Sequence, residues 1–270
     1  MSYIIVAVSL LLALLIIRCS FGNTAAPNVL VGVAQTAGMR EIQADACDYL
    51  HREGETLLVA ADGIGSGEKG RIAARVAADT VGRQFEAAGA GQNPVYFFRS
   101  AFQTANAAIL RHIPDATAGA CLLAAVIQNG SLYYALAGNC SLFVFRGRKL
   151  YSVSVGQTMD KLAYKAFQRK QISRAEALEV MREHRTYNFV GKDGFGEIEQ
   201  QDAPIQLKAG DLILLMTDGV GQSLTDKEIS EILRSKRNYD KAAKGLIYAV
   251  EDKKNPEQDN ASVVLARIRM

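Results

Sequence analysis

From Asn28 onward the chain alternates short apolar runs with a few long amphipathic stretches. Runs at 29–34, 46–50, 56–61, 120–128, 131–137, 141–146, 149–153, 211–217 and 261–268 read as strands. Asn129-Gly130 separates two of them, and both residues accept the positive φ of a type I′ hairpin turn. A further reversal at Gly147 predicts a three-stranded antiparallel meander through this region. Helical periodicity covers 69–88, with Ile72, Val76, Val81 and Phe85 assigned to one face, and 94–113, with Phe98, Phe102, Ala105 and Ile109 on another. A last helix pair at 226–235 and 239–251 precedes the final strand. Residues 157–190 are charged, helix-prone and poor in strand signals; Ser173 caps a helix there, with Glu176 completing a capping box. Consecutive helices between blocks of strand do not fit a parallel βαβ sheet. They predict an α+β fold in which helices cover antiparallel sheets and 157–190 lies over the layers as an insertion.

The N-terminus departs from this pattern. Tyr3 to Ile17 is uncharged and apolar apart from Ser9, and Arg18 follows it directly. Such a run is a membrane segment or a secretion signal, and no Lys or Arg precedes it as a cleaved signal requires. A single-pass anchor over 1–18 is the expectation, a linker over 19–27, and a domain over 28–270. By the positive-inside tendency Arg18 places that domain in the cytoplasm, at the cell membrane.

Charge and cysteine usage narrow the chemistry. With 31 Lys plus Arg against 28 Asp plus Glu, the formal charge of +3 is too balanced for a nucleic-acid binder, and there is no Trp to build a stacking platform. Cys19, Cys47, Cys121 and Cys140 form no CxxC pair and lack histidines at ligand spacing, so zinc and a disulfide framework are not indicated. His51, His112 and His184 are dispersed. Carboxylates remain. Asp62 follows the apolar run 57–61 and opens a glycine-rich turn, Asp218 follows 211–217, and Asp259 precedes the last strand. Each is an ordinary turn residue by itself. Together, at strand ends, they form an oxygen-rich set suited to Mg²⁺ or Mn²⁺.

Their order along the chain resembles the metal-dependent protein phosphatases of type 2C, the PPM family, in its bacterial form. ADGIGSGEKGRIAARVAADTV resembles the family's Asp-Gly turn and long helix, and LYYALAGNCSLFVFRGRKLYSVS its Gly-Asp-Ser-Arg hairpin region. LKAGDLILLMTDGVGQSLTDKEI resembles its Ser/Thr-Asp-Gly segment, EQDNASVVLARI its closing Asp-Asn strand, and ISRAEALEVMREHRTYNFVG the flap beside its active site. The resemblance implies a four-layer α-β-β-α sandwich with the flap over about 157–190. It implies two Mn²⁺ or Mg²⁺ ions: Asp62 bridging them, the Gly63 carbonyl on one, Asp218 and Asp259 completing the other. Arg40 would bind phosphate, with Asp45, Asn139 and Asn260 bracing the ligands from behind. It further implies phosphoserine and phosphothreonine proteins as partners, a cognate kinase or its substrates among them.

Three positions depart from the family pattern, one of them Ile64, where some members carry a histidine; the other two bear on the metals. Arg40-Glu41-Ile42-Gln43-Ala44-Asp45 has Ala44 where an acidic partner of the second metal is usual, and Gly138-Asn139-Cys140-Ser141 has Asn139 where a third-metal carboxylate is usual. These imply weaker binding at the second metal and none at a third. Two functions follow: a membrane-anchored, metal-dependent serine/threonine phosphatase, or an impaired relative that recognises phosphoproteins without turnover.

Overall fold

In the computed structural model, which describes residues 29–181, 185–201, 203–236 and 238–269, the strands form two antiparallel sheets. The first comprises β1 (Val29–Thr36), β11 (Ala261–Ile268), β10 (Leu212–Met216), β6 (Ser141–Arg146) and β7 (Lys149–Ser152), in that spatial order. The second comprises β2 (Asp45–Arg52), β3 (Glu55–Ile64), β4 (Gly119–Gln128), β5 (Ser131–Ala137) and β8 (Glu199–Gln200), with the two-residue β9 (Ile205–Gln206) also paired to β5. β4 is buried along its whole length, as the central strand of a covered sheet must be.

Three apolar layers hold the four structural layers together. Between the sheets lie Leu58, Ala60, Leu123, Ala125, Leu136, Leu142, Ile213, Leu215 and Val264. The alternate residues of the same strands face outward, Leu57, Val59, Leu122 and Ala124 meeting α1 (Glu68–Ala88) and α2 (Pro94–His112). On the other side Leu214, Val263 and Leu265 meet α5 (Asp218–Ser223), α6 (Asp226–Ser235) and α7 (Tyr239–Glu251). The strand period of two thus supplies both faces of each sheet. This is the α-β-β-α sandwich. The insertion contributes α3 (Met159–Gln168) and α4 (Arg174–Met181), and the Ser173–Glu176 capping box forms at 2.8 and 3.3 Å.

Two expectations need correction. The meander does not exist, because β5 and β6 belong to different sheets. The Asn129-Gly130 turn closes a hairpin in one sheet with φ of 50° and 71°, the Gly147-Arg148 turn closes another in the other sheet, and the chain crosses between them at Gly138-Asn139-Cys140. Gly138 adopts φ 122°, and a Cβ there would meet the Cys121 side chain at 2.5 Å. The crossing is therefore as tight as the backbone allows.

The buried face of α1 also differs from the one assigned by its larger residues. Ala73, Ala74 and Ala77 are fully buried with Val81 and Phe85, whereas Ile72 is 39% exposed and Val76 half-buried. Alanines let the helix backbone approach the sheet closely, and the close approach outweighs burial of one isoleucine. α2 buries Phe98, Phe102, Ala105 and Ile109 as expected. Among the described residues no helix is long and apolar enough to cross a membrane. The anchor expected over 1–18 and the linker over 19–27 lie outside the described residues, as do Cys19 and His184.

The α1 packing predicts opposite outcomes for two substitutions. Ala77→Leu should cost about 1–3 kcal/mol by overpacking, whereas Ile72→Ala should stay within about 0.5 kcal/mol, read from urea denaturation midpoints.

Candidate metal centre

Four acidic residues collect at one end of the sandwich. Asp45 begins β2 and pairs in register with Asp62 near the end of β3, so one sheet supplies both. Asp218 starts α5 directly after β10, and Asp259 lies two residues before β11, so the other sheet supplies the second two. Glycines make the convergence feasible. A Cβ on Gly63 would sit 2.2 Å from the Gly70 carbonyl oxygen, and one on Gly219 would sit 2.1 Å from that of Asn260. No larger residue fits either position without moving a helix start away from its strand.

Crowding of like charge shows in the proton affinities. Burial, then repulsion from Asp218, Asp45 and Asp259, holds the Asp62 carboxyl well above the usual carboxylate range. Burial pushes Asp45 up to about 7, against the lowering effect of the Ser262 and Thr217 hydroxyls and with smaller help from repulsion by Asp218 and Asp259. Asp218 is raised by burial and by Asp259, and lowered by the hydrogen bonds it accepts.

Neutral donors and one cation hold these groups in place. Asn139 Nδ2 and Gln222 Nε2 both donate to Asp218 Oδ2, at 2.9 and 3.0 Å. Thr217 Oγ1 donates to Asp45 Oδ2 at 2.9 Å and accepts the Ser262 N–H at 2.9 Å, tying the two sheets together beneath the site. Arg40 grips Asp259 with both ends of its fork, Nε to Oδ1 and Nη2 to Oδ2, each at 2.9 Å. Asn260 holds a loop: its Oδ1 accepts the Ala44 N–H at 2.8 Å, and its Nδ2 donates to the carbonyls of Ala37 and Ile42. That stitches the loop bearing Arg40 to the start of β11.

A cleft of about 430 Å³ opens over this end, lined by Arg40, Glu41, Ala44, Asp62, Gly63, Ser66, Asp259 and Asn260 among others. The flap is pinned at its rim, where Gln157 exchanges hydrogen bonds with the Gly138 backbone at 2.7 and 3.0 Å. Among the described residues, the cysteines and histidines stand apart from the cleft lining. Cys121 and Cys140 are fully enclosed thiols pushed well above their ordinary range by burial. His51 pairs with Thr56 toward the far end of β2, and His112 ends α2.

Whether the donor set fits a divalent cation is decided by its chemistry and its orphaned atoms. Among the described residues no three His, Cys, Asp or Glu side chains form a ready ligand cage, and Asp259 is paired with Arg40. The available donors are nonetheless hard oxygens under mutual repulsion, which a cation relieves, and Asp45 Oδ1 and Asn139 Oδ1 are buried with no hydrogen-bond partner. The set fits Mg²⁺ or Mn²⁺. Gln222 and Thr217 were not singled out from the sequence. Gln222 lies one helical turn after Asp218, the spacing at which a side chain can reach back, and only the helical start of α5 reveals it.

Residues 40–243 match the sequence profile of the family described as protein phosphatase 2C, more than half of the chain, and the chain belongs to that family. By class it is a protein phosphatase. Its sequence is 21% identical over 224 residues to the serine/threonine phosphatase stp of Listeria monocytogenes, covering 80% of this chain and 86% of that protein. The Streptococcus agalactiae serine/threonine phosphatase superposes with a TM-score of 0.78 at 17% identity, over 89% of this chain and all of that one. The catalytic domain of the serine/threonine phosphatase PstP, solved with two manganese ions, superposes with a TM-score of 0.72 at 21% identity, over 90% of this chain and 99% of that one.

The raised carboxyls predict how stability depends on pH. A carboxyl whose pKa is higher folded than unfolded binds more protons in the native state, so stability falls as pH rises from the unfolded value toward the folded one. With chelator present, the thermal midpoint should fall between about pH 4 and about pH 7, where Asp45 titrates. Asp45→Asn should flatten the upper part of that curve.

Proposed function

We propose that the chain hydrolyses phosphoserine or phosphothreonine on proteins at a centre built from Asp62, the Gly63 carbonyl, Asp218 and Asp259. The observation that carries this is the placement of Asp62 and Asp259, one from each sheet's end, in an open cleft beside Arg40, with Asp45 and Asp218 close enough to repel them. Mn²⁺ or Mg²⁺ held there would supply an activated water at neutral pH and charge neutralisation for the departing oxygen. Arg40 would bind two phosphate oxygens with the fork that now grips Asp259, releasing that carboxylate to the metal. Asn139 and Gln222 saturate one oxygen of Asp218 and leave the other to act as a ligand. A thiol nucleophile has no place in this reading, since Cys121 and Cys140 are sealed in the core as neutral thiols. The apolar run from Tyr3 to Ile17 with Arg18 after it supports a membrane anchor with the phosphatase domain on the cytoplasmic side. The phosphoproteins acted on would then include a cognate kinase or its substrates.

Ala44 and Asn139 favour a second reading, an impaired relative that recognises phosphoproteins without turnover. The Ala44 methyl lines the cleft where a carboxylate would reach a second cation, and the Asn139 amide carries no charge.

Phosphate release from a phosphothreonine peptide should require Mn²⁺ or Mg²⁺, and Asp62→Asn should lower it about a hundredfold or more, the scale of several kcal/mol of charge stabilisation. No release at any metal concentration, with phosphopeptide binding retained in calorimetry, would instead establish the second reading. Ala44→Glu should tighten binding of the weaker of two Mn²⁺ ions in the same calorimeter. Heats unchanged from the parent would remove Ala44 as the reason for impairment.

A further inference from the structure

The end of the sandwich opposite the carboxylates is basic on one side only. Register places Val29 opposite Ile268, Leu212 opposite both Arg267 and Phe145, and Arg146 opposite Lys149, so these strand ends lie side by side. Around them Arg148, Lys149, Lys208, Lys236, Lys241 and Arg269 are all exposed. Arg234 donates to the Arg148 carbonyl at 3.1 and 2.8 Å, tying the end of α6 to the β6–β7 turn. Asn238, Tyr239, Gly210 and Arg269 line one shallow depression with Leu30, which brings the start of α7 to the same end.

Among the described residues, nearby acidic groups do not cancel this charge. Asp211 is buried and held by Arg146 at 2.9 Å, and Asp240 is paired with Lys244 at 2.9 Å. Glu231 lines a different depression with Glu228 and Lys253. Glu53 and Glu55 lie at the β2–β3 turn, on the other sheet.

The chain enters the domain at this basic end, at Val29. Ten residues, 19–28, separate Arg18 from it, a reach of no more than about 36 Å even fully extended. We propose that this face docks on anionic lipid headgroups beside the N-terminal apolar segment, holding the cleft toward the opposite side; the proposal builds on the membrane-anchor reading above. Clusters of roughly four to eight Lys and Arg beside a spanning segment are attracted to acidic lipid by the surface potential. Long-stemmed ammonium groups with no fixed acidic partner among the described residues suit a fluid array of headgroups better than a shaped protein partner.

The test uses the full chain, floated with vesicles of phosphatidylcholine alone or of phosphatidylcholine and phosphatidylglycerol in equal parts, then labelled with acetic anhydride and read by mass spectrometry. The chain should float with both. Lys149, Lys208, Lys236 and Lys241 should label several-fold more slowly on the anionic vesicles only, Lys165 and Lys170 in the insertion should not change, and added salt should abolish the difference. The double variant Lys149→Glu with Lys241→Glu should still float and lose the protection of Lys208 and Lys236. The second of these substitutions puts negative charge in the first turn of α7, where the helix dipole favours it, and unchanged phosphopeptide hydrolysis confirms that the variant folds. Equal labelling on the two vesicles overturns the proposal. Protection by duplex DNA without vesicles, as strong as that by the anionic ones, overturns it in favour of nucleic acid. Flotation and protection on anionic vesicles alone would keep the docking face and remove the anchor.

Discussion

The apolar layer between the two sheets is the constraint on which everything at the cleft depends. Leu58, Leu123, Leu136, Leu142, Ile213 and Val264 fix how far each strand runs past its neighbours, and therefore where the strand ends fall. Four carboxylates would not gather by themselves. Hydrophobic burial elsewhere offsets their desolvation and repulsion and holds them at one end, with proton affinity raised by burial first and by like charge second. Glycine supplies the second half of the constraint: Gly63 and Gly219 let helix starts approach strand ends to distances that a Cβ forbids.

The cleft is consequently built from two sheets and not from one loop. Asp45 and Asp62 belong to one, Asp218 and Asp259 to the other, and the crossing at Gly138-Asn139-Cys140 is where the chain itself passes between them. Asn139 thus sits at the seam and bonds to Asp218, while Thr217 bonds to Asp45 across the same seam. Asn139 and the Ala44 N–H brace this seam with neutral hydrogen bonds, to Asp218 and to Asn260.

Much of this was legible in the sequence, because strands of period two and helices bracketed by turn residues declare themselves locally. The strands β1 to β7, β10 and β11 and the helices α1, α2, α6 and α7 follow from such local signals, as does the capping box at Ser173. What periodicity could not show was which sheet a strand joins: β5 and β6 are adjacent in sequence and equally apolar, yet the short step between them changes layers. Nor could it show the true inner face of α1, since Ile72 outranks Ala73 in hydrophobicity but not in the clearance it leaves. Asp62, Asp218, Asp259 and Arg40 stood out as a set through their order along the chain. Gln222 and Thr217 did not, because a neutral side chain becomes informative only once its partner is known.

β1 is an edge strand whose eight residues pair with β11 from Val29 at one end to Thr36 at the other. Arg40 and Asp259 lie just beyond the Thr36 end. A pull between Val29 and a protein held in the cleft would run along this ladder and load all its hydrogen bonds at once, as shear. That is the geometry in which a β ladder resists force best. A load applied at Val29 would therefore pass through β1 into β11 before it reached the cleft, which makes the strand a mechanical strut as well as an edge.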